Sequence, residues 1–194
     1  MADTSFYAAS ELRALGLKDY GERVRLSRKA SLYGMANIAL GSDTRIDDFC
    51  LLSAGAGGIQ IGSFVHLAVY SSLIGQGAIR IGDFSMTSGR VSVYSSNDDY
   101  SGARMTNPTV PSEFTGVTHA DVDIGRHVVV GAGSVVLPGA VLEDGVAVGA
   151  LSLVQGRCAA FGVYVGTPAR RVNERKRDLL ELEARLAAVL RRQP

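Results

Sequence analysis

Aliphatic residues recur at every sixth position in the C-terminal half of the chain. Stepping by six from residue 124 meets only aliphatic side chains: Ile124, Val130, Val136, Leu142, Val148 and Val154. A period of six fits neither an α-helix nor a simple alternating strand. Each hexad therefore predicts one short strand followed by a corner, and three hexads close one triangular coil. Because a single coil cannot bury its apolar surface alone, we expect residues three hexads apart to stack, with Ile124 on Leu142.

The same repeat is present earlier in the chain, in an interrupted form. Its aliphatic positions there are Leu40, Ile46, Ile61, Leu67 and Ile81. Glycine-rich segments at 54–58 and 75–78 break the period, and we interpret them as turns or lengthened coils. The pattern predicts an all-β protein with one β-helix domain at residues 30–173, preceded by an N-terminal extension at residues 1–29.

Three segments lie outside the repeat. Residues 97–121 form a long polar insertion containing two prolines, and a loop of that length is usually functional. In the C-terminal segment 174–194, together with Val172 just before it, apolar residues spaced three and four apart predict an amphipathic helix, packed on the coil or on a sister subunit. The segment from Ser10 to Gly16 predicts a short N-terminal helix with a serine cap and a glycine stop.

Composition excludes several classes of protein. The 194 residues include 20 Lys and Arg against 19 Asp and Glu, so the net charge of +1 argues against a strongly basic nucleic-acid binder. No apolar run is long enough to span a membrane, and the N-terminus lacks the order of a signal peptide. We therefore expect a cytoplasmic protein without membrane insertion. Cys50 and Cys158 have no metal-ligand spacing, so we expect reduced, packed thiols and no metal site.

The hexads, the insertion and the ending Tyr-Val-Gly-Thr-Pro-Ala-Arg-Arg-Val at 164–172 resemble the hexapeptide-repeat acyltransferases. The resemblance covers about residues 30–173 and implies a left-handed parallel β-helix. It also implies a homotrimer, acetyl-CoA as donor and active sites between subunits. Segments 45–50, 64–70 and 95–102 suggest the branch that acetylates sugars for O-antigen, exopolysaccharide and nucleotide-sugar pathways.

Acetyl transfer to a hydroxyl or amine needs a base for the acceptor proton, and histidine is suited to that role. In the galactoside and xenobiotic branch of the family the catalytic histidine stands at the start of the long loop, but Asp98 occupies that position here. We therefore expect His66 to be the base, with Asp98 or Asp99 orienting its ring. His127 and His119 remain alternatives. An amine acceptor delivered neutral could also react without a base.

The remaining site residues are expected for substrate and cofactor. Asn97, Asp99 and Tyr100 are candidates for sugar recognition, although the same residues suit a turn where the chain leaves the coil. The resemblance implies that coenzyme A lies in a groove between neighbouring prisms. Candidate contacts are small residues of the coils, the proline-alanine motif and the arginines after it: Gly131, Ser134, Ala150, Thr167, Arg170 and Arg171.

These expectations favour one function and leave others open. The leading hypothesis is an acetyl-CoA-dependent sugar O-acetyltransferase acting in surface polysaccharide or O-antigen biosynthesis. An N-acetyltransferase acting on a nucleotide-linked amino sugar shares the mechanism, and the sequence does not separate the two. A non-catalytic hexapeptide-repeat scaffold is a further alternative. A metalloenzyme of carbonic anhydrase type would need three ligating histidines, and the spacings of the three present do not match that pattern.

Overall fold

The computed structural model describes residues 5–191, so residues 1–4 and 192–194 of the expected terminal segments lie outside it. The chain winds into a left-handed parallel β-helix with three faces. Face 1 contains the strands Asp19–Tyr20, Ile38–Leu40, Ile59–Ile61, Ile79–Ile81, Val122–Ile124, Val141–Leu142 and Arg157–Cys158. Face 2 contains Arg25–Leu26, Arg45–Ile46, His66–Leu67, Met86–Thr87, Val129–Val130, Ala147–Val148 and Gly162–Val165. Face 3 contains Ser31–Tyr33, Leu51–Ala54, Ser72–Gly75, Ser92–Tyr94, Val135–Val136 and Leu153–Val154.

The six-residue ladder lines the interior, as the sequence predicts. Ile124 pairs with Leu142, Val130 with Val148 and Val136 with Val154, and all six side chains are buried. The earlier aliphatic positions, such as Ile61 and Leu67, are buried as well. Apolar burial is worth about 25 cal/mol for each Å² removed from water, so this continuous column supplies the main stabilisation of the coils.

The coil begins earlier than the repeat indicates. Asp19–Tyr20 already pairs with Ala39–Leu40, and Arg25–Leu26 pairs with Arg45–Ile46, so strand pairing starts inside the segment expected to be an extension. The six-residue step is present in this first coil at Tyr20, Leu26 and Leu32, but the column begins with an aromatic residue and the next step, to Leu40, is eight residues. Pairing of Phe6 with Ser27 then covers the end of face 2.

The three corners of the prism differ in what they carry. Corner 1 joins faces 1 and 2 and places Phe64, Phe84 and His127 in the left-handed backbone region, with φ of 57°, 60° and 56°. Bulky residues are unfavourable there by about 1–2 kcal/mol each. Their rings stack with centroids 5.0 Å apart, which offsets part of that cost. Corner 2 joins faces 2 and 3, and corner 3 joins face 3 to the next face 1.

The insertion leaves the coil at corner 3 and is held by its own pairing. Ser96–Asn97 pairs antiparallel with Thr118–His119, and a single turn of 3₁₀ helix forms at Ser112–Phe114. The expected insertion is therefore an ordered element closed by a two-stranded ladder at its base.

Both expected helices are present with corrected limits. The N-terminal helix α1 spans Ala9–Ala14 with Ala8 as its N-cap, so Ser10 lies inside the helix. The Glu11 side chain accepts a hydrogen bond from the Ala8 N–H and takes over the capping role. The C-terminal helix α2 spans Leu179–Leu190.

Val172 does not belong to the apolar stripe of α2. It lies in Arg170–Glu174, a strand that pairs antiparallel with Gly162–Val165 at the end of face 2. Within residues 5–191, no helix has the length and apolar character needed to cross a membrane.

The outer surfaces of the three faces have different chemistry. Face 1 carries ion pairs across neighbouring strands, from Arg80 to Asp121 and Asp123 and from Arg157 to Glu143. Faces 2 and 3 place mainly small or apolar residues at the outward positions of their later strands. These are Met86, Val129, Ala147 and Val163 on face 2 and Tyr94, Val135 and Leu153 on face 3. Face 1 is therefore suited to solvent, and the other two faces are suited to protein contact.

Candidate active site

The largest described cavity, about 750 Å³, lies between the insertion and the outer side of face 3. Its floor is formed by outward residues of three stacked strands, including Ser53, Ile74 and Tyr94. The insertion supplies the other wall. The lining residues from the insertion and its base are Ser96, Asn97, Asp98, Pro108, Ser112, Thr115, Gly116, Val117 and His119.

The cavity has an acidic and polar lining. Asp98 is the one carboxylate among its described lining residues, and none of those residues is a lysine or arginine. Asn97, Gln76 and several hydroxyl groups add hydrogen-bonding groups, while Ile74 and Val117 provide apolar surface. Such a lining suits a polyol that carries an amino group, because its hydroxyl, amide and carboxylate groups can hydrogen-bond to both. It offers no lysine or arginine to neutralise a phosphate.

Asp99 and Tyr100 do not line this cavity. Both Asp99 carboxylate oxygens are used inside the insertion, where they accept hydrogen bonds from the Ser101 N–H and hydroxyl and from the Arg104 N–H. The Ser101 hydroxyl, followed by these backbone donors, lowers the pKa of the Asp99 carboxyl. Tyr100 is 87% exposed. The structure thus gives Asp99 the turn role, while Asn97 and Asp98 reach the cavity.

His66 is oriented by a carboxylate that the sequence did not single out. Its Nε2 atom lies 2.8 Å from an Asp47 oxygen, and the other Asp47 oxygen accepts a hydrogen bond of 2.6 Å from Arg45. Burial would raise the pKa of the Asp47 carboxyl, but the hydrogen bonds from His66 and Arg45 outweigh it and the pKa is lowered. Asp47 therefore stays ionised, and it favours the tautomer whose Nδ1 carries a free lone pair.

Within one chain, His66 does not pair with Asp98 or Asp99. His66 projects from face 2, whereas Asp98 follows face 3, and His66 is absent from the residues that line the cavity. The signal for Asp47 was available in the sequence. Arg45 and His66 occupy the same outward position in successive coils, which places Asp47 on the same face, diagonally beside His66.

The other two histidines have structural partners. His127 stacks on Phe84 at corner 1, and its Nε2 atom lies 2.7 Å from a Glu183 oxygen in α2. Arg126 contacts the second Glu183 oxygen, so this pair fastens the C-terminal helix to the coil. His119 lines the cavity, and its Nδ1 atom lies 2.8 Å from the Ser96 hydroxyl oxygen at the base of the insertion.

The residues expected to contact coenzyme A fall into two groups. Ala150, Thr167, Arg170 and Arg171 are exposed on the last coils, where a ligand can reach them. Gly131 is only partly buried, but a Cβ there would lie 2.4 Å from the Ala150 nitrogen, so coil packing already requires glycine. Ser134 is fully buried and its hydroxyl donates to the Gly149 carbonyl while accepting from the Ser152 N–H. It cannot contact a ligand without unfolding the corner.

Replacing Ser134 by alanine should therefore change stability rather than cofactor binding. The buried Ser152 N–H would lose its partner, which costs about 1–3 kcal/mol, whereas the Gly149 carbonyl keeps a hydrogen bond from the Ser152 hydroxyl. We expect denaturant unfolding to show that loss while the KM for the acyl donor stays unchanged. A raised donor KM with unchanged stability would instead assign Ser134 to the cofactor groove.

Metal and thiol chemistry find no support among residues 5–191. No group of three or more His, Cys, Asp or Glu side chains there is arranged to hold a metal ion. Cys50 and Cys158 are free and buried, and desolvation raises the pKa of each thiol to about 11. Both are therefore inert packing residues at neutral pH, as expected from their place in the coil.

The fold and its sugar-suited cavity define a class. The chain belongs to the hexapeptide-repeat acyltransferases, and among them it is a sugar acyltransferase. It is 53% identical over 174 residues to the dTDP-4-amino-4,6-dideoxy-D-glucose acyltransferase of Escherichia coli, an alignment that covers 90% of this chain and 91% of the relative. No protein-family model matches the chain.

Solved structures give the same assignment. AntD, an N-acyltransferase from Bacillus cereus, superposes with a TM-score of 0.91 and 39% identity over 95% of this chain and 98% of AntD. That structure is of a serine variant bound to dTDP-4-amino-4,6-dideoxyglucose and coenzyme A. A second AntD structure holds dTDP and 3-hydroxybutyryl-CoA, with a TM-score of 0.92, 39% identity and coverage of 96% and 98%. A maltose O-acetyltransferase from Clostridium difficile shares only the fold, at 20% identity and a TM-score of 0.59.

Proposed function

We propose that this protein transfers an acetyl group from acetyl-CoA to the amino group of a dTDP-linked 4-amino-4,6-dideoxy sugar. The observation that carries the amino-sugar part of the proposal is the cavity, with one carboxylate and no lysine or arginine among its described lining residues. The dTDP part rests on the relatives. The relatives favour N-acylation over the O-acetylation that the sequence analysis put first, because both the Escherichia coli enzyme and AntD act on or bind an amino sugar nucleotide. We assign the product to surface polysaccharide biosynthesis.

Asp98 is proposed to contact the reacting amine. AntD has been solved with either a serine or an aspartate replaced, at positions ten residues apart. Two Ser–Asp pairs in this chain have that spacing, Ser88 with Asp98 and Ser134 with Asp144. Asp98 lines the cavity, whereas Asp144 accepts a backbone hydrogen bond from Arg126 at corner 1. The first pair is therefore the one that fits a role in the reaction.

His66 is proposed to remove the proton. The amine nitrogen attacks the thioester carbonyl, the C–N bond forms and the C–S bond breaks. The Asp98 carboxylate accepts an N–H hydrogen bond and aims the nitrogen lone pair at the carbonyl carbon. Nδ1 of His66 takes the proton that the amine loses and returns it to the departing coenzyme A sulfur. Asp47 stabilises the imidazolium formed in between.

Coenzyme A is proposed to lie along the later coils of face 2. The corner 2 segments that follow these strands carry small residues, including Gly131 and Ala150, which permit close approach of an extended pantetheine chain. Arg170 and Arg171 are exposed at the end of the same face and suit its phosphates. Thr167 lies in the exposed segment between these two regions.

We propose a homotrimer in which face 2 of each subunit packs on face 3 of the next. A head-to-tail contact that closes by three-fold rotation forms a ring. Faces 2 and 3 carry the apolar outer residues, and face 1 carries the ion pairs. Corner 2, which this packing turns toward the axis, exposes Phe49, Tyr70 and Leu151 to 48%, 49% and 74% in the isolated chain. Covering these side chains favours the assembly.

This packing would complete the active site. It brings His66 and Asp47 on face 2 of one subunit opposite the face 3 cavity and Asp98 of its neighbour. The partnership between His66 and Asp98 that fails inside one chain is then made between two chains.

Thiol release with matched acceptors tests the proposed function. We expect release of free coenzyme A from acetyl-CoA in the presence of dTDP-4-amino-4,6-dideoxyglucose. The matched control is the sugar nucleotide with a hydroxyl in place of the amine, for which we expect kcat/KM to be lower by at least about 10³. Equal turnover of both acceptors would overturn the N-acyl assignment.

A further inference from the structure

Two surfaces of the described chain expose groups of large apolar side chains. The helix patch consists of Leu182, Leu186 and Val189 on one flank of α2, which are 60%, 37% and 52% exposed. The loop patch consists of Met105 and Phe114 on the insertion, which are 57% and 52% exposed. The Met105 N–H donates a backbone hydrogen bond of 3.0 Å to the Phe114 carbonyl, so the two residues are neighbours in the insertion.

The helix patch is held at corner 1 at a defined height. Glu183 binds Arg126 and His127, and a cavity of about 380 Å³ separates Leu182 and Leu186 from the ring of Phe84. The carbonyl groups of His127 and Gly145 accept hydrogen bonds from Arg175, which fixes the segment that leads into α2. The helix therefore lies beside the coils that contain Phe84 and His127.

The loop patch lies at corner 3, at the same height along the coil axis as the helix patch. The insertion begins at Ser96, at the end of the coil that contains Phe84, and returns before the coil that contains His127. Corner 1 and corner 3 are on opposite sides of face 1, so the two patches of one chain point to different neighbours in the proposed ring.

Three-fold symmetry brings the two patches of neighbouring chains together. When face 2 packs on face 3 with corner 2 toward the axis, the outer end of face 2 is corner 1 and the outer end of face 3 is corner 3. A rotation without translation keeps equal heights along the coil axis. The α2 helix of one subunit is then opposite the insertion of the next subunit, at the same coil.

We propose that α2 of each subunit docks its helix patch on the loop patch of the adjacent subunit and braces the outer wall of that subunit's acceptor cavity. The proposal rests on the trimer given under the proposed function. Ser112, Thr115 and Val117 of the insertion line the cavity directly beside Phe114. Docking therefore orders the wall that receives the sugar, and its loss weakens acceptor binding more than the chemical step.

Charged substitutions on the two flanks of α2 provide the test. We expect Leu186→Glu to raise the acceptor KM about tenfold with little change in kcat, because a charge would be buried in the docked surface. Leu180→Glu is the matched control, since Leu180 is a 45% exposed leucine on the opposite flank of the same helix. The control should leave the acceptor KM unchanged.

A complementary charge on the neighbour should restore binding. Adding Phe114→Lys to the Leu186→Glu chain should recover most of the lost acceptor affinity, and the double-variant cycle measures the coupling. An unchanged KM for Leu186→Glu, equal effects on both flanks, or no coupling with Phe114→Lys would overturn the docking proposal.

The oligomeric state of the unmodified protein distinguishes a failure of the docking proposal from a failure of the trimer proposal. If the protein is a trimer by native mass spectrometry and Leu186→Glu behaves as the unmodified chain, docking alone is wrong. If the unmodified protein is monomeric while N-acylation proceeds, both the ring and the docking are wrong and the assigned chemistry stands.

Discussion

Replacing His66 by alanine is expected to lower kcat by about 10²–10⁴ with little change in either KM, because a positioned base contributes to the chemical step rather than to ground-state binding. The side chain is partly exposed on face 2 and makes its described hydrogen bond only to Asp47. Removing it leaves no buried group without a partner, so the thermal unfolding midpoint and the oligomeric state should not change. Steady-state kinetics with the amino sugar nucleotide measure the effect.

Two further substitutions distinguish a catalytic from a structural role for His66. Asp47→Asn retains a hydrogen-bond acceptor but loses the charge, so kcat should fall less than in His66→Ala. Gln60→Ala is the matched control, because Gln60 is an exposed, outward residue of the same coil on face 1. If His66→Ala retains activity within a few-fold of the unmodified chain, the amine reacts without a protein base.

Mixing two inactive variants should restore activity. In a site built from two chains, His66→Ala and Asp98→Ala each disable every site of their own trimer. A mixed ring of either composition contains one interface with an intact His66 on one side and an intact Asp98 on the other. Random assembly of equal amounts should therefore recover about one quarter of the unmodified activity, as the closed three-fold arrangement requires.

The mixing experiment needs subunit exchange, so the two chains should be unfolded and refolded together or produced in one cell. Separately refolded variants, combined afterwards, are the control and should stay inactive. Recovery in the co-refolded sample alone would support the shared site. Absence of recovery, with mixed trimers confirmed by mass, would place His66 and Asp98 in separate functions.

The solenoid was predictable because its signal is repetitive. Each aliphatic position from Ile124 to Val154 is required by the same interior column, so single irregularities do not hide the period. The start of the coil was missed because the column there begins with the aromatic Tyr20, and an eight-residue step separates Leu32 from Leu40. Val172 was assigned to the helix because its distance in sequence from the next apolar residues suits a helical stripe. That distance alone does not exclude an exposed edge strand, and Val172 lies in one.

The site was only partly predictable, because its residues come from different faces. Asn97 and Asp98 were predicted from their place at the start of the insertion, which a linear sequence reveals, and both line the cavity. The pairing of His66 with Asp47 depends on which residues align in successive coils, and it emerges only when Ile46 is stacked on Leu67. Ser134 was assigned to the cofactor groove because a small residue suits a groove as well as it suits a buried corner. The structure places it in a buried corner.

The chemical nature of the bond formed tests the central claim most directly. After reaction of acetyl-CoA with dTDP-4-amino-4,6-dideoxyglucose, the product is treated with alkaline hydroxylamine and its mass is measured by mass spectrometry. Hydroxylamine cleaves an ester and leaves an amide intact. The account predicts that the acetyl group remains on the sugar nucleotide. Its complete release would show that the protein acylates a hydroxyl and would contradict the account.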